Sequence, residues 1–178
     1  MFLLLFAVFY FGTLGIIGLS APGNYYSPFV DKYMNYVSWM RTALMGGTKF
    51  LLSLFDIKTY YVNDFVLRKI NGSGFRMVYQ CVGYGVMSFW AAFVIASPGS
   101  LIKKITWLIF GFVMLYLINI IRLSLVLVAG NNKWSFPFGW DHHTWFNIFA
   151  YIAIFVMIYF FDRMSREKSK QTAANHQV

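Results

Sequence analysis

Four long apolar runs govern what this chain can become: residues 1–19, 77–97, 101–130 and 145–161. At about 1.5 Å per helical residue, each is long enough to approach or cross a hydrocarbon core of roughly 30 Å. Only 12% of the 178 residues are charged and 59% are hydrophobic, whereas soluble domains average about 25% charged. A fold of this size cannot enclose that much apolar surface, so lipid must be the solvent for part of it. The expectation is an all-α polytopic membrane protein with about four transmembrane helices plus an amphipathic extracytoplasmic helical region.

Punctuation along the chain divides it further. Residues 1–20 read as the first transmembrane helix; the small residues of "GLSAP" resemble a cleavage site, but no positively charged stretch precedes the apolar run, as a secretory signal requires. Residues 21–76 read as an extracytoplasmic, interfacial region. Within it "FVDKYMNYVSWMRTALMGGTKFLLSLF" has the pattern of an amphipathic helix interrupted at Gly46 and Gly47, with Lys32, Arg41 and Lys49 placing it on the membrane surface. The turn "NGSGF" at 71–75 precedes a core of three transmembrane helices over 77–161, and residues 162–178 form a polar cytoplasmic tail. Pro98 and Gly99 end the second run, and Lys103 and Lys104 anchor the start of the third.

Charge sets the orientation and the partners. With four spans, Lys103 and Lys104 share a side with Arg163, Arg166, Lys168 and Lys170, and cations in short loops mark the cytoplasmic face. Seven of the eight cations on the other side (Lys32, Arg41, Lys49, Lys58, Arg68, Lys69, Arg76, Lys133) lie in one long segment, where charge carries less topological weight. The net charge of +9 is spread singly or in small clusters beside apolar runs, which points to anionic membrane lipids and not to nucleic acid. A single cysteine, Cys81, excludes an intramolecular disulfide and a two-cysteine redox motif.

Three chemically useful side chains then fall at one depth. Counting from the cytoplasmic anchors at about 1.5 Å per residue, Arg122 stands roughly 27 Å up its helix, Cys81 roughly 24 Å and His143 roughly 30 Å. Short connections between antiparallel neighbours bring such positions together. A thiol attacks a carbonyl as thiolate, which a cation stabilises and a histidine generates by taking the proton. Histidine also returns a proton to a leaving amine, and a guanidinium holds an oxyanion or a substrate carboxylate. Asn119, three residues before Arg122, presents an amide on the same helical face.

Each residue has a plainer reading. Cys81 can be a small hydrophobe, Arg122 can snorkel to headgroups, and His142 and His143 of "GWDHHTWF" can belong to an interfacial aromatic belt. Gly83 and Gly85 read as helix-packing positions. Adjacent histidines rarely face one ion and no further ligand cluster exists, so neither metal nor cofactor is implied. The rivals to an acyl-transfer enzyme are a non-catalytic membrane scaffold or assembly factor and a small anion-binding transporter subunit.

The segments "CVGYGVMSFWAAFV", "NIIRLSLV" and "HHTWFNIFAYIAIF", in that order, resemble the exosortase/archaeosortase family in its short, Bacteroidetes-type form. The resemblance covers residues 77–161 and rests on a cysteine shortly before a glycine, N-x-x-R, and a histidine heading the last helix. It implies Cys81 as nucleophile, Arg122 as oxyanion or substrate stabiliser and His143 as general base, with His142, Asn119 and Gly83 as alternative or supporting residues. His143 is preferred over His142 because family members show histidine four residues before a glycine, a position held here by Asn147; Val82 also departs from the family's small residue. The implied activity is a multi-pass cysteine protease or transpeptidase of the bacterial inner membrane. It would cleave C-terminal sorting signals of secreted proteins at the outer face.

Overall fold

A computed structural model of the chain describes residues 1–21, 25–132 and 142–175, with the side chains of 142, 143, 146 and 165–175 excepted. The helices are α1 (Phe2–Ser20), α2 (Pro28–Tyr33), α3 (Tyr36–Leu54), α4 (Tyr84–Ala96), α5 (Leu101–Asn131) and α6 (His142–Asn175). Between α3 and α4 lie three strands, β1 (Thr59–Asn63), β2 (Val66–Lys69) and β3 (Gly74–Arg76), and a 3₁₀ turn, Tyr79–Val82.

Three helical stretches are long and apolar enough to cross a membrane: α1, α5, and residues Asn147–Met164 of α6. Their outer faces expose Leu3, Phe11, Ile109, Leu125 and Phe155, a surface that lipid can cover and water cannot. The protein is therefore membrane-embedded and mostly helical. The expected span over 77–97 is shorter than the sequence suggests. Gly83 takes a left-handed conformation (φ 81°), residues 79–82 coil into the tight turn, and regular helix occupies only the 13 residues of α4. That is about 20 Å of helix, less than a hydrocarbon core.

Aromatic contacts fix the directions of the helices. Phe2 and Phe6 of α1 meet Phe89 of α4 edge-on, and Tyr10 meets Tyr84, so α1 and α4 run antiparallel. The α4–α5 turn passes through Gly99 (φ 142°) and is tied by Lys104, whose Nζ donates to the Ile95 carbonyl (2.8 Å). Helix α6 returns to that end, placing Phe161 against Phe93 and Trp107. Trp90 is fully buried midway, donating from Nε1 to the Trp107 carbonyl (3.1 Å), and its indole lies where a side chain on Gly111 would be.

Region 21–76 differs from expectation in two ways. Helix α3 runs unbroken through Gly46 and Gly47; a Cβ on Gly47 would meet Ile120 and the Tyr116 hydroxyl of α5, so that glycine allows close helix contact instead of interrupting the helix. Residues 59–76 form an antiparallel sheet in the order β1-β2-β3, in a region read from sequence as helical and turn-like. The run Thr59–Val62 is β-branched and aromatic, which suits a pleated strand, and Asn71 (φ 57°) turns β2 into β3. Asn131 at the end of α5 clamps that turn. Its Oδ1 accepts from the Ser73 amide (2.8 Å) and its Nδ2 donates to the Ser73 carbonyl (3.2 Å). The sheet thereby caps the end of the bundle opposite Lys103 and Lys104, over a core of Val37, Leu44, Leu67, Val82, Leu123 and Leu127.

Candidate active site

Cys81 lies in the 3₁₀ turn and not on a membrane-length helix, and its residue is 6% exposed. The turn forms because Val82 enters the core and Gly83 accepts the positive φ that redirects the chain into α4. The packing expected of Gly83 is thus replaced by a backbone requirement. Gly85 does pack closely, since a Cβ there would lie 3.4 Å from the Tyr10 ring.

Two polar side chains of α5 hold the turn. Asn119, 1% exposed, donates from Nδ2 to the carbonyls of Cys81 (2.9 Å) and Val82 (3.1 Å). Arg122, 8% exposed, donates from Nη1 to the Cys81 carbonyl (3.4 Å) and to Asn119 Oδ1 (3.3 Å), and from Nη2 to Cys81 Sγ (3.8 Å). The guanidinium is turned into the protein, on the sulfur, and does not snorkel. Cys81, Arg122 and Asn119 therefore form one buried cluster, on helical elements brought together by tertiary packing.

The histidines stand differently. His142 and His143 open α6, and their side chains lie outside the described residues. One turn further on, Asn147 lines a cleft of about 460 Å³ together with Gln80, Gly83, Tyr84, Tyr10 and Tyr151. The first turns of α6 and the residues flanking Cys81 thus border the same cleft.

Arg41, read from the sequence as one of the charges that hold its helix at the membrane surface, is turned into the protein. It is 5% exposed, its Cζ lies 4.0 Å from the centroid of Phe65 and 5.4 Å from that of Tyr79, and its Nη2 donates to Ser38 Oγ (3.0 Å). The reason is helical register. Val37, Arg41, Leu44, Thr48 and Leu52 recur at intervals of three and four, and this is the stripe that α3 buries. The spacing is legible in the sequence, but a charge within an apolar stripe is the opposite of the usual amphipathic pattern. Gln80 and Tyr79 beside the cysteine carried no comparable signal.

Among the described residues, no three histidine, cysteine or acidic side chains converge as metal ligands. Comparison with protein-family models, with curated proteins and with solved structures finds no match to this chain.

Proposed function

We propose that the chain is a membrane-embedded cysteine peptidase or transpeptidase of the exosortase kind, acting on secreted proteins at the extracytoplasmic face of a bacterial inner membrane. The observation that carries this reading is the 3.8 Å approach of the Arg122 guanidinium to the only sulfur nucleophile, beside an accessible cleft. The guanidinium is a permanently charged donor aimed at the sulfur. In the proposed reaction His143, or His142, takes the thiol proton, and Cys81 Sγ attacks the scissile carbonyl to give a tetrahedral oxyanion. Arg122 supplies positive charge to that oxyanion, the histidine protonates the departing amine, and water or an acceptor amine releases the acyl group from sulfur. Asn119 positions the turn that carries the nucleophile.

The bonds from Asn119 and Arg122 to backbone carbonyls also suit a second reading, a non-catalytic scaffold in which both side chains only brace the Cys81 turn. Replacing Cys81 by Ala or Ser separates the two. The enzyme reading expects processing of secreted proteins to stop in the producing bacterium, followed by mass spectrometry of their C-termini, while the variant accumulates in the membrane at the normal level. It also expects Gln at the base histidine to abolish processing: His143→Gln if His143 is the base, His142→Gln if His142 is. Unchanged processing with Cys81→Ala would sink the enzyme reading.

A further inference from the structure

Among the described residues, the guanidinium of Arg41 is enclosed without a counter-ion. Nε and Nη1 are sealed from solvent and have no hydrogen-bond acceptor among the described residues, so three of the five N–H donors are unused. Buried charged donors left in this state are costly, and stacking on Phe65 and Tyr79 satisfies none of them. Such a group calls for a partner, an ordered water, an ion or a ligand group. Arg41 also stands beside the Cys81 turn, because Tyr79, one of its two aromatic neighbours, is part of that turn.

We infer that Arg41 is a carboxylate-binding subsite, taking an acidic side chain or terminal carboxylate of a polypeptide that passes under the β1–β2 hairpin. The inference deepens the proposed function, since that polypeptide would be the substrate. Two aromatic rings crowd the guanidinium at 4.0 and 5.4 Å, and the bond to Ser38 Oγ occupies one of the Nη2 donors. A planar carboxylate matches a guanidinium edge fork to fork, whereas a tetrahedral phosphate is thicker. The cover that must move is small. Phe65 is 36% exposed and is carried on the two-residue turn between β1 and β2, next to a register shift between Tyr61 and Asn63 that loosens this end of the ladder.

The test is a binding measurement on the full chain in detergent, made with Cys81→Ala protein so that catalysis plays no part. The probes are acetyl-glutamate amide, its neutral isostere acetyl-glutamine amide, acetate and inorganic phosphate, read by the thermal midpoint. Acetyl-glutamate amide should raise the midpoint saturably, by about 3–6 °C at roughly ten times its dissociation constant. Acetyl-glutamine amide should not. Equal saturation by acetate would place recognition in the carboxylate alone, and a weaker effect would show that the peptide portion contributes; both support the subsite. Arg41→Met should abolish the shift while melting at or above the parent temperature without probe, because it removes an unpaired buried charge. Lys49→Gln, a change at a cation lying over Tyr61, should preserve the shift. An Arg41→Met protein that melts lower than its parent and a parent with no carboxylate response would show a packing residue. Stabilisation by phosphate but not by carboxylate would overturn the ligand class. Because none of these readouts needs the thiol, failure of the subsite is distinguishable from failure of the enzyme reading.

Discussion

Replacing Asn119 by Ala should release the Cys81 turn, and the size of the effect follows from the bonds that are lost. Its amide supplies two hydrogen bonds to backbone carbonyls, at 2.9 and 3.1 Å, each worth about 1 kcal/mol net. Arg122 still reaches the Cys81 carbonyl, but the carbonyl of buried Val82 loses its side-chain donor, at a further cost of about 1–3 kcal/mol. The total, about 3–5 kcal/mol, is a large share of a typical stability of about 5–15 kcal/mol. Because the chain has one cysteine, a bulky maleimide reports on this turn alone. A bulky reagent reaches the buried sulfur through local opening, so its rate tracks the open population when closing is fast. The variant should therefore react on the order of 10²–10³ times faster and melt about 10 °C lower in detergent. An increase below about tenfold, with helix content unchanged, would refute the view that Asn119 holds the turn closed.

Three further substitutions probe other parts of the argument. Gly83→Ala forces a side chain into a left-handed backbone, so it should cost about 1–2 kcal/mol and raise the maleimide rate at Cys81, with Gly83→Asn milder because asparagine tolerates that region. Gly111→Ala should be worse than a typical surface change, since the new methyl overlaps the Trp90 indole; a loss of about 1–3 kcal/mol, read as a lower midpoint and altered tryptophan fluorescence, is expected. Asn131→Ala removes both contacts to Ser73, so hydrogen exchange in the β2–β3 turn should quicken about 5- to 10-fold while exchange in α4 stays the same.

Much of the architecture was open to reading because hydrophobic length is a local property. Apolar runs of 19 and about 30 residues announce α1 and α5 whatever surrounds them, and Pro98, Gly99 and the lysine pair mark the turn between α4 and α5. The pairing of Asn119 with Arg122 was legible too, since a three-residue spacing on a helix settles which face both share. The sheet was not legible: its strands are short, carry Lys58, Arg68, Lys69 and Arg76 in or beside them, and are held by Asn131 from a distant helix. Strand pairing between such segments depends on partners that sequence spacing does not reveal.

By itself, then, the sequence determined that this protein lives in a membrane, that most of its apolar runs are helical, and that one cysteine and one arginine fall at a similar depth. Tertiary structure alone decided that the guanidinium touches the sulfur, that Cys81 rides on a tight turn before a shortened α4, and that Arg41 is buried beside it. Helix formation and lipid exposure follow from neighbours a few residues apart. A contact between Arg122 and Cys81 spans 41 residues, and it exists only because α3, the 79–82 turn and α5 bury one another's faces.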